Sequence, residues 1–341
     1  MNSYERVIAA LLHKPTDCVP VIPVMLMQGA AELGLDLSTY FSRGAYLAQG
    51  QMRLLEKFGH DAVLGVPHVV EDITAFGAAL IVYENGPPAP GSMVIHSYEE
   101  VGRLRVPDPA SSPMLAETLT AIEQLAHHLK GEVPILGACI APFSLPSMLM
   151  GTERWMELLF LEAASVRDPL LDHMLDVTTQ FCATWANMQL SAGADAIVLA
   201  DGMASAAVLT RQQFIDFALP TLRAVVPRIQ GPVIHEGVGH LQPMLDLLAD
   251  VGLVGVMLTN DDDLARAKAL VGDRLALIGN LNNVEMRRWT AEEMELHAQA
   301  ALAQGAPGGG FILANQGPEI PLGTSDAAIH AMVLAAHGWR S

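Results

Sequence analysis

The sequence predicts an α/β protein, a (β/α)8 barrel of the TIM type, as one domain spanning residues 1–341. Three observations lead there. Eight short runs rich in Val, Ile, Leu and Ala are spread along the chain, amphipathic stretches of helical period separate them, and each run stops on a polar or glycine-rich segment. Continuous apolar runs suit strands buried on both faces, as in a parallel sheet lying under helices. Their alternation with helices is the pattern of a wound or closed parallel sheet.

In chain order, the first strand is expected over Val19–Val24 and the second over Ala62–Val66, with a helix over Ala48–Phe58 between them. The segment Phe76–Glu84 alternates and then meets Asn85-Gly86-Pro87-Pro88, which reads as an extra hairpin or loop excursion. Val106–Pro113 is a connector rich in Pro, Asp and Ser. A helix over Leu115–Leu129 leads to the third strand, Val133–Gly137, and a longer helix over Pro169–Leu190 to the fourth, Ala196–Ala200. Arg211–Ile229 is helical by period, followed by the fifth strand, Pro232–His235, and a helix over Leu241–Val251. The sixth strand, Gly255–Leu258, precedes a helix over Asp262–Leu270, which an acidic run opens as helix starts prefer. Leu275–Ile278 is the seventh strand, Ala291–Ala303 a helix that Thr290 caps, Phe311–Ala314 the eighth strand and Ser325–His337 the last helix. An open doubly wound sheet is the competing architecture. It is disfavoured because no Gly-x-Gly-x-x-Gly follows a strand and opens a helix, and Gly305–Gly310 precedes a strand instead.

Composition narrows the partners. A formal net charge of −18 argues against nucleic acid and against anionic membrane surfaces, both of which need a basic face. No apolar stretch reaches the ~20 residues of a membrane span, and the first residues lack the pattern of a secretion signal. Three widely spaced cysteines, Cys18, Cys139 and Cys182, make no disulfide framework, so a cytoplasmic location is expected.

Chemistry in a barrel is built where strands end and the following loops begin. That rule nominates Gln28 after the first strand, His68 after the second, Cys139 after the third and Asp201 after the fourth. It nominates His235 and Glu236 after the fifth, Asn260 after the sixth, Asn280 after the seventh, and Asn315 with Gln316 after the eighth. His235 and Asp201 stand out because each closes an apolar run. Asp201 is open to three roles: general acid or base, substrate anchor, or orienter of His235. His235 is open to metal ligation, proton transfer or donation to substrate. Adjacent strand residues point to opposite sides, so His235 and Glu236 share a ligand only if the strand has already ended.

Several segments carry a family resemblance in their order and spacing. They are Glu5-Arg6-Val-Ile-Ala-Ala, Asp17-Cys-Val-Pro20, Pro23-Val-Met-Leu-Met-Gln28-Gly-Ala, Gly137-Ala-Cys-Ile-Ala-Pro-Phe-Ser144, Ala192-Gly-Ala-Asp-Ala-Ile, Phe214…Pro220, Ile278-Gly-Asn-Leu281 and Phe311-Ile-Leu. Together they resemble the uroporphyrinogen decarboxylase superfamily over nearly the whole chain. The resemblance implies a TIM-type barrel and a choice between decarboxylases and corrinoid-linked methyltransferases. Decarboxylases of the superfamily carry arginines near the first strand, and Met25-Leu-Met-Gln-Gly-Ala-Ala-Glu32 has none. The methyltransferase branch, similar to methylcobalamin:coenzyme M methyltransferases, binds zinc through His-x-Cys after the fifth strand and a cysteine after the eighth. This chain keeps the histidine as His235 but has Gly237 and Pro318 at the two cysteine places.

The resemblance therefore implies a methyltransferase without the usual zinc–thiolate site, using Asp201, His235 and Glu236 as catalytic groups. The corrinoid would be a co-substrate on a separate carrier protein, since no Asp-x-His-x-x-Gly corrinoid motif is present. The small partner is open between tetrahydrofolate, an ether and an amine. Two alternatives stand beside it: a decarboxylase-like lyase acting on a small acid, and a non-catalytic barrel.

Overall fold

The computed structural model describes residues 1–340. Among these residues ten strands form: β1 Val21–Ile22, β2 Val63–Leu64, β3 Leu80–Tyr83, β4 Gly86–Pro90, β5 Ile135–Ile140, β6 Ala196–Ala200, β7 Val233–Glu236, β8 Gly255–Met257, β9 Ala276–Leu281 and β10 Phe311–Asn315. Eight of them make one parallel sheet in the order β1-β10-β9-β8-β7-β6-β5-β2. The two ends of this sheet meet. The Asp61 N–H, just before β2, donates to the Val21 carbonyl at 2.9 Å, and the Asp61 carboxylate accepts the Val21 N–H at 2.9 Å. The sheet is a nearly closed barrel with helices around it, as expected. The other two strands, β3 and β4, pair antiparallel across the Glu84-Asn85 turn, so the predicted excursion is a hairpin.

Each of the eight expected strands is present, with shifted ends. β1 and β2 are only 2 residues each, because the flanking segments bend away to loops. β5 and β9 run past their expected ends to Ile140 and Leu281. Helices cover Gly44–Phe58, Pro113–Leu129, Ala164–Ala192, Ala291–Gly305 and Asp326–Gly338 near their expected places. The stretch expected as one helix over Arg211–Ile229 is broken into an α-turn, a π-turn over Phe214–Ala218, an α-helix over Leu219–Val225 and a 3₁₀ turn. Pro220 and Pro227 explain two of the breaks, since neither supplies a backbone N–H to the helix ladder. The helix expected from Asp262 is capped by Asp263 instead, whose carboxylate accepts the Arg266 N–H.

Strand parity builds two cores. Ile22, Leu64, Leu136, Val198, Ile234 and Ile312 face inward and fill the barrel. Val21, Cys139, Leu199, Val233, Val256 and Leu313 face outward and pack under the helices. This alternation decides which strand-end residues reach the barrel mouth. No described helix is long and apolar enough to cross a membrane.

Candidate functional site

The barrel interior opens at the C-terminal ends of its strands into a cavity of about 70 Å³. Its walls are the inward side chains Ile22, Val24, Leu64, Val66, Leu136, Val198, Ile234, Met257 and Ile278. Two polar side chains interrupt this lining, His68 and Glu236, and Pro318 leans in from the loop after β10. Among the described residues, no lysine or arginine lines it.

Glu236 ends β7 with the inward parity of Ile234 and is 8% exposed. Burial among apolar walls pushes its carboxyl up to about 7, so near neutrality it exchanges a proton readily. His68 ends the loop after β2 and caps the 3₁₀ turn Val69–Phe76, its Nδ1 accepting the Val70 N–H at 3.3 Å. Burial lowers the imidazole to about 4, which keeps it neutral.

His235 has the opposite parity. It is 0% exposed, lies in register with outward Leu199, and does not line the cavity. Its Nε2 stands 3.5 Å from Asp201 Oδ2 without the alignment of a hydrogen bond. Asp201, also buried, accepts from the Ser144 hydroxyl at 2.5 Å, and Ser144 in turn accepts the Met203 N–H at 2.9 Å. The Asp201 N–H donates to the Glu236 carbonyl at 2.8 Å. The structure thus separates the expected catalytic trio. Glu236 faces the cavity, while Asp201 and His235 lie behind the wall and brace the strand end that carries it.

The remaining nominees stitch loops together. Gln28 heads the helix Gln28–Leu33, and its Nε2 donates to the Ile320 carbonyl at 2.7 Å, fastening the loop after β10 near the mouth. Asn315 accepts the Val24 N–H at 2.8 Å, Gln316 accepts the Asn260 N–H at 2.6 Å, and Asn280 donates to the Thr259 carbonyl at 2.8 Å. None of these five residues lines the cavity.

Cys139 is a correction. β5 continues beyond it, so it is a strand residue turned outward, with its sulfur 3.4 Å from that of Cys182 on the helix Ala164–Ala192. Contact with Cys182 and burial push its thiol up, which makes it inert rather than nucleophilic. In native protein only Cys18 is expected to react with a disulfide reagent, and all three thiols after unfolding. Quick reaction of Cys139 or Cys182 in the native state would contradict this packing.

Sequence reasoning missed Glu71 and Asp72. Asp72 Oδ2 accepts the Ile140 N–H at 2.7 Å, and burial raises its carboxyl to about 8. The signal was an acid pair inside Val69-Val-Glu-Asp-Ile73, an unusual interruption of an apolar stretch.

The zinc site implied by the family resemblance does not fit. His235 faces the helices. A Cβ at Gly237 would lie 2.4 Å from Leu241 Cδ1, leaving no room for a cysteine without a shift of that side chain. Among the described residues, no cluster of three His, Cys, Asp or Glu side chains is placed to hold a metal.

An apolar cavity with convergent polar groups, at the C-terminal mouth of a closed parallel barrel, defines the class of TIM-barrel enzymes. More narrowly, the chain belongs to the uroporphyrinogen decarboxylase family, whose model, described as uroporphyrinogen decarboxylase (URO-D), matches residues 2–339. It is 26% identical to a uroporphyrinogen decarboxylase from Pseudoalteromonas atlantica, over 99% of this chain and 98% of that one. It is 27% identical to one from Aromatoleum aromaticum, over 98% of this chain and 96% of that one. Among solved structures it resembles a methyltransferase from Methanosarcina mazei, with a TM-score of 0.88 at 22% identity over 98% of each chain. A more distant likeness is a B12-independent methionine synthase from Shewanella, with a TM-score of 0.54 at 12% identity over 93% of this chain and 94% of that one. At these identities the two structural likenesses speak to the fold alone.

Proposed function

We propose that this chain is a zinc-independent methyltransferase that moves a methyl group between a corrinoid on a separate carrier protein and a small partner bound in the barrel cavity. One observation carries the reading: a single carboxyl, Glu236, sits in a largely apolar cavity whose other polar side chain is the neutral His68, with no lysine or arginine in its walls among the described residues. A carboxyl held near neutrality by desolvation is suited to deliver or remove one proton. With an ether as donor, the carbon–oxygen bond breaks, the corrinoid co-substrate supplies the electron pair to the methyl carbon, the oxygen keeps its bonding pair, and Glu236 protonates it. With methyltetrahydrofolate or a methylamine as donor, the carbon–nitrogen bond breaks and the proton goes to nitrogen; with tetrahydrofolate as acceptor, its nitrogen takes the methyl group and gives its proton to Glu236. Asp201, Ser144 and His235 brace Glu236 from behind the wall.

The named relatives favour a second reading, decarboxylation. A substrate rich in carboxylates needs cations to offset its desolvation, and this cavity has none to offer. That observation ranks decarboxylation second.

The test follows the absorbance of methylcob(III)alamin and cob(I)alamin with chelator-treated protein, offering tetrahydrofolate, a methyl ether and a simple thiol in parallel. Cobalt methylation or demethylation that survives chelation is the expected result. Activity seen only with zinc and thiol would overturn the zinc-independent mechanism. Loss of carboxyl groups from uroporphyrinogen, with no change at cobalt, would establish the decarboxylase.

A further inference from the structure

We infer that His68 sets the substrate class of the cavity: an uncharged, largely apolar molecule carrying one heteroatom that accepts a hydrogen bond. The inference rests on the cavity being the active site, and it adds what that cavity selects.

A neutral imidazole has one donor and one acceptor nitrogen, and the Val70 N–H requires the acceptor to be Nδ1. The proton is therefore assigned to Nε2, the nitrogen left free in a ring that lines the cavity. The same cap fixes the ring's orientation, because His68 is the residue that starts the turn Val69–Phe76. His68 thus offers a fixed N–H donor and no charge.

The remaining walls say what else can enter. Around this donor stand Val24, Val66, Val69, Met257 and Ile278, with Glu236 as the other polar group. A carboxylate or phosphate entering here would leave its hydration shell and meet no cation, and desolvated charge without a partner is strongly disfavoured. A fully apolar guest would enter, but it would leave the Nε2–H without an acceptor, which costs on the order of 1 kcal/mol or more. One accepting oxygen or nitrogen on an apolar body meets both conditions.

Three probes separate these effects by binding alone, with no corrinoid present: methoxybenzene, ethylbenzene (which has a methylene in place of the oxygen) and 4-methoxybenzoate. Their affinities for the full chain are read by ligand-observed NMR at pH 7. Methoxybenzene is expected to bind about fivefold more tightly than ethylbenzene, and 4-methoxybenzoate at least about tenfold more weakly than methoxybenzene. His68→Phe keeps a flat ring in the same place and removes the Nε2–H donor, at the cost of the Nδ1 acceptor for the Val70 N–H. It should abolish the preference for methoxybenzene while leaving ethylbenzene affinity unchanged, which also reports that the cavity is intact. A preference that survives in His68→Phe, or a carboxylate that binds as well as the neutral ether, overturns the inference. Met257→Trp, which fills the cavity, separates the two readings. Probes that bind equally well to that variant are bound elsewhere, and the assignment of the active site then falls as well. Equal binding of methoxybenzene and ethylbenzene to wild type, with both lost in Met257→Trp, removes only the role of His68.

Discussion

Replacing Glu236 with glutamine is expected to slow the proposed methyl transfer by about 10²–10⁴-fold and, at the same time, to stabilise the protein above pH 7. The two effects have one cause. The carboxyl is buried among apolar walls and pushed up to about 7. In the unfolded chain it titrates near 4.5, so between these values the native state binds more protons than the unfolded one. Stability therefore falls as pH rises through this window and levels off above about 7, at a total cost on the order of 3 kcal/mol. Glutamine has almost the same shape and no charge, so the variant escapes that cost. The difference in melting temperature between Glu236→Gln and wild type should be small near pH 5 and clearly positive at pH 8. Glu319 and Asp72 are also raised by burial, to about 7 and about 8, but both are unchanged in the variant and cancel in the comparison. Activity within a few-fold of wild type would remove Glu236 from the chemistry. A melting difference independent of pH would mean that its carboxyl is solvated.

The barrel was legible because a parallel strand buried on both faces leaves a continuous apolar run, a signal that survives without knowing its neighbours. All eight runs became strands, and the Asn85-Gly86 signal marked the hairpin within one residue of its turn, Glu84-Asn85. Element ends were less legible. β5 and β9 continue through Cys139 and Asn280 because their ladders with β6 and β10 persist, and that pairing is a property of the neighbouring strands. The site was half legible for the same reason. That His235 and Glu236 point to opposite sides follows from the strand period, but which side is the cavity depends on how the whole barrel closes. Closure turns Glu236 inward and His235 outward, reversing their apparent importance. Gln28, Asn260, Asn280, Asn315 and Gln316 were correctly placed near strand ends, yet the amides of Gln28, Asn280, Asn315 and Gln316 meet backbone groups of adjacent loops, the ordinary fate of polar residues there. Ser144 and Asp72 act through contacts 57 and 68 residues away in sequence, a range at which local pattern carries no information.

The largest effect on stability is expected from Asp61→Ala, at about 3–5 kcal/mol, although nothing in the local sequence marks this residue. Asp61 lies just before β2, on the face of the barrel opposite the mouth, and its side chain is 0% exposed. Its carboxylate receives the Val21 N–H at 2.9 Å, the Ser3 hydroxyl at 2.9 Å, Arg6 at 2.5 Å and His337 at 2.8 Å. One side chain thus joins β1, the helix Ser3–Leu11 and the helix Asp326–Gly338 at the seam where the sheet closes on itself. Alanine would leave the Val21 N–H without a partner and strand part of the Arg6 charge, which Asp17 alone would then hold. The pH dependence has the opposite sign to that of Glu236. Burial pushes the Asp61 carboxyl up, but His337, the Val21 N–H and Arg6 together bring it below the ordinary range. Its contribution is therefore complete above the unfolded value near 3.8 and is lost as pH falls through the lower native value. Urea midpoints at pH 7 and pH 3 would measure both features. Wild type and Asp61→Ala should differ widely at pH 7 and converge on acidification, with Asp61→Asn between them, because an amide can still accept from Val21 but offers Arg6 no charge. A difference below about 1 kcal/mol at pH 7 would place the closure of the barrel in the apolar packing of β1 against β10 rather than in this carboxylate.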